Sequence, residues 1–115
     1  MNKIVLAAVL TMSAVGAHAA ELVGNPNAAR DKVAMCIGCH GIADYRTAYP
    51  EVYRVPKLGG QPARYIANAL HEYKNGKRRF ETMRAIAVSL SDQDIADIAA
   101  YYAAQSPNSK ENPVK

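Results

Sequence analysis

The chain has 115 residues, with 14 Lys and Arg against 10 Asp and Glu, a formal net charge of +4, and half of its residues hydrophobic. That length is one domain's worth, and so modest a charge gives no argument for a nucleic-acid partner. Neither an internal repeat nor a low-complexity linker points to a second domain.

Residues 1–19 read as an export signal. Lys3 supplies the positive start, Ile4 to Val15 is a mostly apolar run, and Ala17-His18-Ala19 fits the small-x-small cleavage pattern. The apolar run is too short to span a bilayer comfortably. Cleavage after Ala19 would leave residues 20–115 as a single exported domain with no integral membrane span. In a Gram-negative cell its compartment is the periplasm.

Asn25 and Pro26 suit the start of a helix, which is expected to run through Ala28, Ala29, Val33 and Met35 into Cys36-Ile37-Gly38-Cys39-His40. These two cysteines are the only ones in the chain. Their C-x-x-C spacing, with a histidine directly after, is the attachment signature of a c-type haem. Helical neighbours at i+3 and i+4 share a face, so two thioether-forming sulfurs and an iron-binding imidazole can converge on one macrocycle. Three other readings compete. A thioredoxin-like redox pair expects a βαβ context, and none follows. Zinc would need further ligands, with only His18 and His71 left. A disulfide across so short a loop would constrain little of the unfolded chain.

Gly41 to Gly60 reads as a long irregular segment carrying Tyr45, Tyr49, Pro50, Tyr53 and Pro56. A loop of this length in a small domain usually serves a function, here wrapping the haem. Pro56 is either a plain turn residue or the holder of a backbone carbonyl that fixes the axial histidine. Pro62 to Asn75 follows as a helix, with Ile66, Ala69, Leu70 and Tyr73 at i, i+3, i+4 and i+7 and Gly76 as its stop. His71 on this helix reads as a partly exposed surface residue, with a second iron ligand as the lesser reading.

Lys77, Arg78, Arg79 and Arg84 form the densest basic cluster. It is either a solvated loop or a docking patch for an acidic redox partner. Downstream of the signal the chain has two methionines, Met35 and Met83. Met35 abuts the cysteines and is not expected to reach the opposite haem face. Met83 lies on an expected polar loop, Glu81 to Arg84, where a thioether opposite His40 would complete His/Met iron. A short helix from Ala85 to Leu90 comes next. Ser91 with Asp94 then makes a capping-box-like start for the last helix, whose stripe is Ile95, Ile98, Ala99 and Tyr102. Ser106-Pro107 ends it, leaving 108–115 as a frayed tail.

With these landmarks in order, the sequence resembles the class I c-type cytochromes, nearest the small bacterial periplasmic group around cytochromes c4 and c553. The resemblance rests on Cys36 to Gly41, Pro56-Lys57-Leu58-Gly59-Gly60-Gln61, Tyr65, Lys74 to Arg78, Met83, Leu90 to Ala96 and Tyr101-Tyr102. It implies an all-α cytochrome c fold, with N- and C-terminal helices crossing over one covalent haem c. Ala28 or Ala29 would take the crossing position against Tyr101 or Tyr102. Pro56 would hold His40, and Gln61 and Tyr65 would lie at the haem periphery. The chain departs from the family after Gly41, where Ile42 to Thr47 and a tyrosine-rich continuation replace a Gly/Asn/Ser-rich loop. The implied function is periplasmic monohaem electron transfer between protein partners, Fe(III)/Fe(II) cycling with His40 and Met83 as axial ligands, without catalysis on a small molecule. A displaceable Met83 that admits a small ligand, or a haem subunit of a larger oxidoreductase, are the alternatives.

Overall fold

The computed structural model describes residues 21–49 and 51–106; the expected export signal and the tail at 108–115 lie outside them. Among the described residues the order is α1 (Ala34–His40), β1 (Arg46–Thr47), β2 (Tyr53–Arg54), α2 (Ala63–Lys74), α3 (Glu81–Ala87) and α4 (Asp92–Ala103). No helix there is long and apolar enough to cross a membrane.

The C-terminal half forms the scaffold, with α2 packing on both α3 and α4. α2 starts after Pro62, whose extended backbone turns the chain into the helix, and stops at Asn75. Gly76 follows with φ +80°, the left-handed geometry that a helix terminus asks of glycine. α4 starts with a complete capping box: Ser91 Oγ accepts from the Asp94 N–H, and the Asp94 carboxylate accepts from the Ser91 N–H. Ile95, Ile98, Ala99 and Tyr102 are all buried, as the stripe predicted. Tyr101 is buried too, its ring 5.2 Å from that of Tyr102 and edge-on to it. From the end of α2, Lys74 Nζ donates to the Leu90 carbonyl at 2.6 Å. That contact ties α2 to the turn between α3 and α4.

The N-terminal stretch differs from expectation. Residues 26–33 are successive turns, and regular α-helix begins only at Ala34. The reason lies in competing partners. Asn25 Oδ1 accepts from the Asn27 N–H at 3.0 Å, and the Asn25 N–H donates to Asp97 on α4 at 2.8 Å. Asn25 thus anchors a turn and a tertiary contact instead of capping a long helix. The crossing with α4 is made before α1. Gly24 lies against the backbone of Ala96, and Ala29 and Val33 enter the shared core while Ala28 stays exposed.

The segment after the cysteines also contains more order than its composition suggests. β1 and β2 form a minimal antiparallel hairpin with Arg46 opposite Arg54 and Thr47 opposite Tyr53. Thr47 Oγ1 bonds the carbonyls of Glu51 and Tyr53, and Arg54 pairs with Asp44. Asp44 takes a left-handed φ of 55° to make the turn.

Candidate haem site

α1, the hairpin, α2 and α3 surround a cavity of roughly 200 Å³. That is more than an engineered void left by one large core side chain, so imperfect packing does not account for it. Its walls are mostly apolar, with Ile66, Leu70, Ile86, Leu90 and Ile98 among them.

α1 brings Cys36, Cys39 and His40 to this cavity together, because positions i, i+3 and i+4 share one helical face. Both cysteines are half-buried and are not joined to each other. Desolvation pushes the Cys36 thiol up to about 11, and the neighbouring Tyr102 hydroxyl counters part of that rise. Burial likewise pushes the Tyr102 phenol above its ordinary value. His40 Nδ1 lies 2.7 Å from the Pro56 carbonyl oxygen. A carbonyl can only accept, so the proton sits on Nδ1, and Nε2 is the nitrogen with a lone pair for a metal.

Met83 reaches the same cavity from a different element, although not from a polar loop. α3 begins at Glu81, four residues earlier than the expected helix, which places Met83 in its first turn. Met83, Ile86, Ala87 and Leu90 form an i, i+3, i+4, i+7 stripe that packs inward. That periodicity was present in the sequence, masked by the charged run of Glu81 and Arg84 on the outer face. Met35 also lines the cavity, half of its surface exposed.

Gln61 and Tyr65 both line the cavity, and Tyr65 is half exposed. His71 does not: its imidazole is on the surface, 4.0 Å from Asp92. The basic cluster divides. Lys77, Arg79 and Arg84 are exposed, whereas Arg78 is half-buried and lines the cavity. Sequence reasoning missed the part of the wall where Tyr53 of the hairpin meets Phe80 at a ring separation of 4.9 Å. A tyrosine-rich stretch signalled packing there without signalling the partner.

These residues fit a c-type haem. Two thiols, an imidazole oriented by a carbonyl, and a thioether meet around an apolar volume, which suits a porphyrin and its iron. Among the described residues no group of three or more His, Cys, Asp or Glu forms an alternative metal cluster.

Comparison with known proteins agrees. The cytochrome c family profile matches residues 31–104. The chain is 44% identical over 106 residues to cytochrome c4 of Pseudomonas aeruginosa, covering 91% of this chain and 49% of that protein. It is 41% identical over 85 residues to cytochrome c-554(548) of Halomonas halodenitrificans, covering 71% of this chain and 98% of that protein. The crystal structure of reduced recombinant cytochrome c4 from Pseudomonas stutzeri superposes with a TM-score of 0.58 at 36% identity, over 73% of this chain and 47% of that one. The chain thus spans about half the length of the cytochrome c4 relatives and nearly all of the shorter cytochrome. Shared sequence at this level, running through the cysteine–histidine string and the terminal helix, means common descent: the chain belongs to the cytochrome c family, with one haem c attached covalently at Cys36 to His40.

Proposed function

We propose that this chain is a periplasmic monohaem electron carrier in which His40 and Met83 are the axial ligands. The observation that carries the reading is that these two side chains, from α1 and α3, line one apolar cavity together with both cysteines. Bound there, the haem supplies a one-electron Fe(III)/Fe(II) couple.

Each residue then has a task. Cys36 and Cys39 hold the group by thioether bonds. His40 presents Nε2 while Pro56 takes its other proton, so the ring cannot rotate out of line. Met83 offers a neutral, soft sulfur, which favours the reduced iron and raises the potential. The apolar wall of Ile66, Leu70 and Ile98 would keep water from the bound group. With His40 and Met83 both holding the iron, no coordination site would be left for a substrate, which is what would separate a carrier from a catalyst. Gln61 and the half-exposed Tyr65, which both line the cavity, would border the bound group. The partners are a protein donor and a protein acceptor, met through the exposed cations Lys77, Arg79 and Arg84. Export through residues 1–19 would deliver the chain to the compartment where c-type haem is attached.

The test is optical and chemical. Mass spectrometry of the exported protein should show one covalent haem and loss of the first 19 residues. The oxidised protein should show a methionine–iron charge-transfer band that Met83→Ala abolishes, with a lower midpoint potential. Met83→Ala with the parent's spectrum, or rapid tight binding of carbon monoxide by the parent, would remove Met83 as a ligand and favour an open iron that takes a small molecule.

A further inference from the structure

Tyr102 places a hydroxyl where the core offers it almost nothing to bond. The residue is buried in α4, in the cluster that also holds Ala29 and Val33, and Cys36 packs against that cluster from α1. Its hydroxyl oxygen is fully buried and makes no hydrogen bond of ordinary geometry among the described residues. Leaving such a group unpaired is costly, and phenylalanine would fill the same space without that cost. The polar group beside the hydroxyl is the Cys36 sulfur. Burial foremost, then Cys36, raises the Tyr102 phenol, while the hydroxyl counters the rise that burial imposes on Cys36. Both signs describe a phenol that keeps its proton and offers it to sulfur. The backbone fixes both partners: the Gly60 N–H donates to the Tyr102 carbonyl at 3.0 Å, and the Cys36 N–H donates to that of Val33 at 2.9 Å.

Attachment of the haem decides the direction of this contact. The thiol adds across a vinyl group: the S–H bond breaks, sulfur bonds one vinyl carbon, and the proton ends on the other. A thiol can give or accept a hydrogen bond, whereas a thioether has only lone pairs with which to accept. We infer that Tyr102 is a positioning residue whose hydroxyl donates to the thioether sulfur of Cys36 and so holds one of the two haem links in a single orientation. The inference rests on covalent attachment at Cys36, not on the axial ligands or on the carrier reading. His40 and Pro56 would then orient the group at its iron, and Tyr102 at its rim.

The experiment uses the haem-loaded protein and measures denaturant unfolding of the parent, Tyr102→Phe, Cys36→Ala and the double variant. Tyr101→Phe, at the ring packed edge-on to Tyr102, is the control. In the parent background Tyr102→Phe should lower the folded-to-unfolded ratio roughly five-fold, the worth of one hydrogen bond. In the Cys36→Ala background, where the haem is held by Cys39 alone, the same change should leave the ratio level or raise it, because the hydroxyl has lost its acceptor. Tyr101→Phe should act equally in both backgrounds. Proton spectra of the reduced parent supply a readout that packing alone does not move. The Tyr102 hydroxyl proton should show an Overhauser contact to the Cys36 β-protons, and Tyr102→Phe should shift the Cys36 thioether resonances while those of Cys39 stay in place. Where Cys36→Ala does not accumulate with haem, these spectra and the parent-background stability decide. A Tyr102→Phe variant as stable as the parent or more so, an equal loss in both backgrounds, or unmoved Cys36 thioether resonances would each overturn the role of Tyr102 and leave the carrier reading intact. A parent protein with no haem bonded to Cys36 would overturn both.

Discussion

At Gly24 an added Cβ would stand 2.1 Å from the carbonyl oxygen of Ala96 and 2.8 Å from the Ala100 side chain. The obstacle is helix backbone, which cannot swing aside as the tip of a long side chain can. Gly24→Ala must therefore push the N-terminal stretch away from α4. We expect a loss of about 2 kcal/mol, read as a fall in the thermal midpoint of ~10 °C for a domain of this size. Gly38 is the control. It lies inside α1 between the two cysteines, and an added Cβ there would meet nothing within 4 Å. Gly38→Ala should leave stability unchanged or raise it by up to ~1 kcal/mol through helix propensity. Unfolding curves of the two haem-loaded variants check the contrast; equal effects would mean that the Gly24 contact is not a constraint.

The join between the N-terminal turns and α4 is polar as well as apolar. Asp97 is buried on α4, and its carboxylate accepts from the Asn25 N–H at 2.8 Å, Lys32 Nζ at 2.7 Å and Gln93 Nε2 at 2.8 Å. Lys32 also bridges to Asp94 at 2.7 Å. The Asn25 N–H foremost, then Lys32, holds the Asp97 carboxyl below its ordinary 3.8; Lys32 foremost, then Ser91, lowers Asp94 further. Lys32 itself is raised above 10.5, first by Asp94 and then by Asp97. The signs set the pH window. The depressed carboxylates contribute stability that is present above pH 3.8 and lost as pH falls through their lower folded values, while the Lys32 contribution is lost only as pH rises beyond 10.5. Stability should therefore be level across neutral pH and fall on the acid side. Asp97→Asn should cost about 2 kcal/mol at pH 7 and shrink the acid-side loss. Denaturant midpoints from pH 3 to pH 8 measure both, and an unchanged acid limb would dissociate Asp97 from it.

Across the whole molecule the formal charge is only +4, so any electrostatic steering must come from local arrangement. Lys77, Arg79 and Arg84 are exposed cations around the ends of α2 and α3, and the proposed docking would act through them. Reversing two of them together, Lys77→Glu with Arg79→Glu, should slow second-order electron transfer with an acidic protein partner roughly tenfold at low salt. The gap should close as ionic strength shortens the Debye length to a few ångströms. Stopped-flow rates against salt give the answer, and parallel parent and variant curves would take docking away from this patch. The same scale explains why so small a chain organises itself around a cavity. Its core residues from α2, α3 and α4 line an apolar space that their own side chains leave open, and a small domain has little core to spare. A covalent prosthetic group would fill that space and, on the proposed function, serve as the redox centre.

Much of this was legible from residues close together in the chain. The attachment string, the Ser91–Asp94 capping box, the Gly76 stop and the α4 stripe each depend on neighbours within one or two helical turns, and the backbone's own geometry determines how such neighbours meet. Their order along the chain also carried the family, and with it the covalent haem and the helical fold. Tertiary structure decided what depends on distant partners. It shortened the first helix because Asn25 bonds to Asp97, a residue 72 positions away. It moved Met83 from an expected loop into α3, whose apolar stripe shows its meaning only against α2. It brought the Pro56 carbonyl to His40 Nδ1 across 16 residues. And it separated Arg78 from the cations beside it, turning it to the cavity under Tyr73, since burial is a property of the packed molecule and adjacent residues in a turn face different ways.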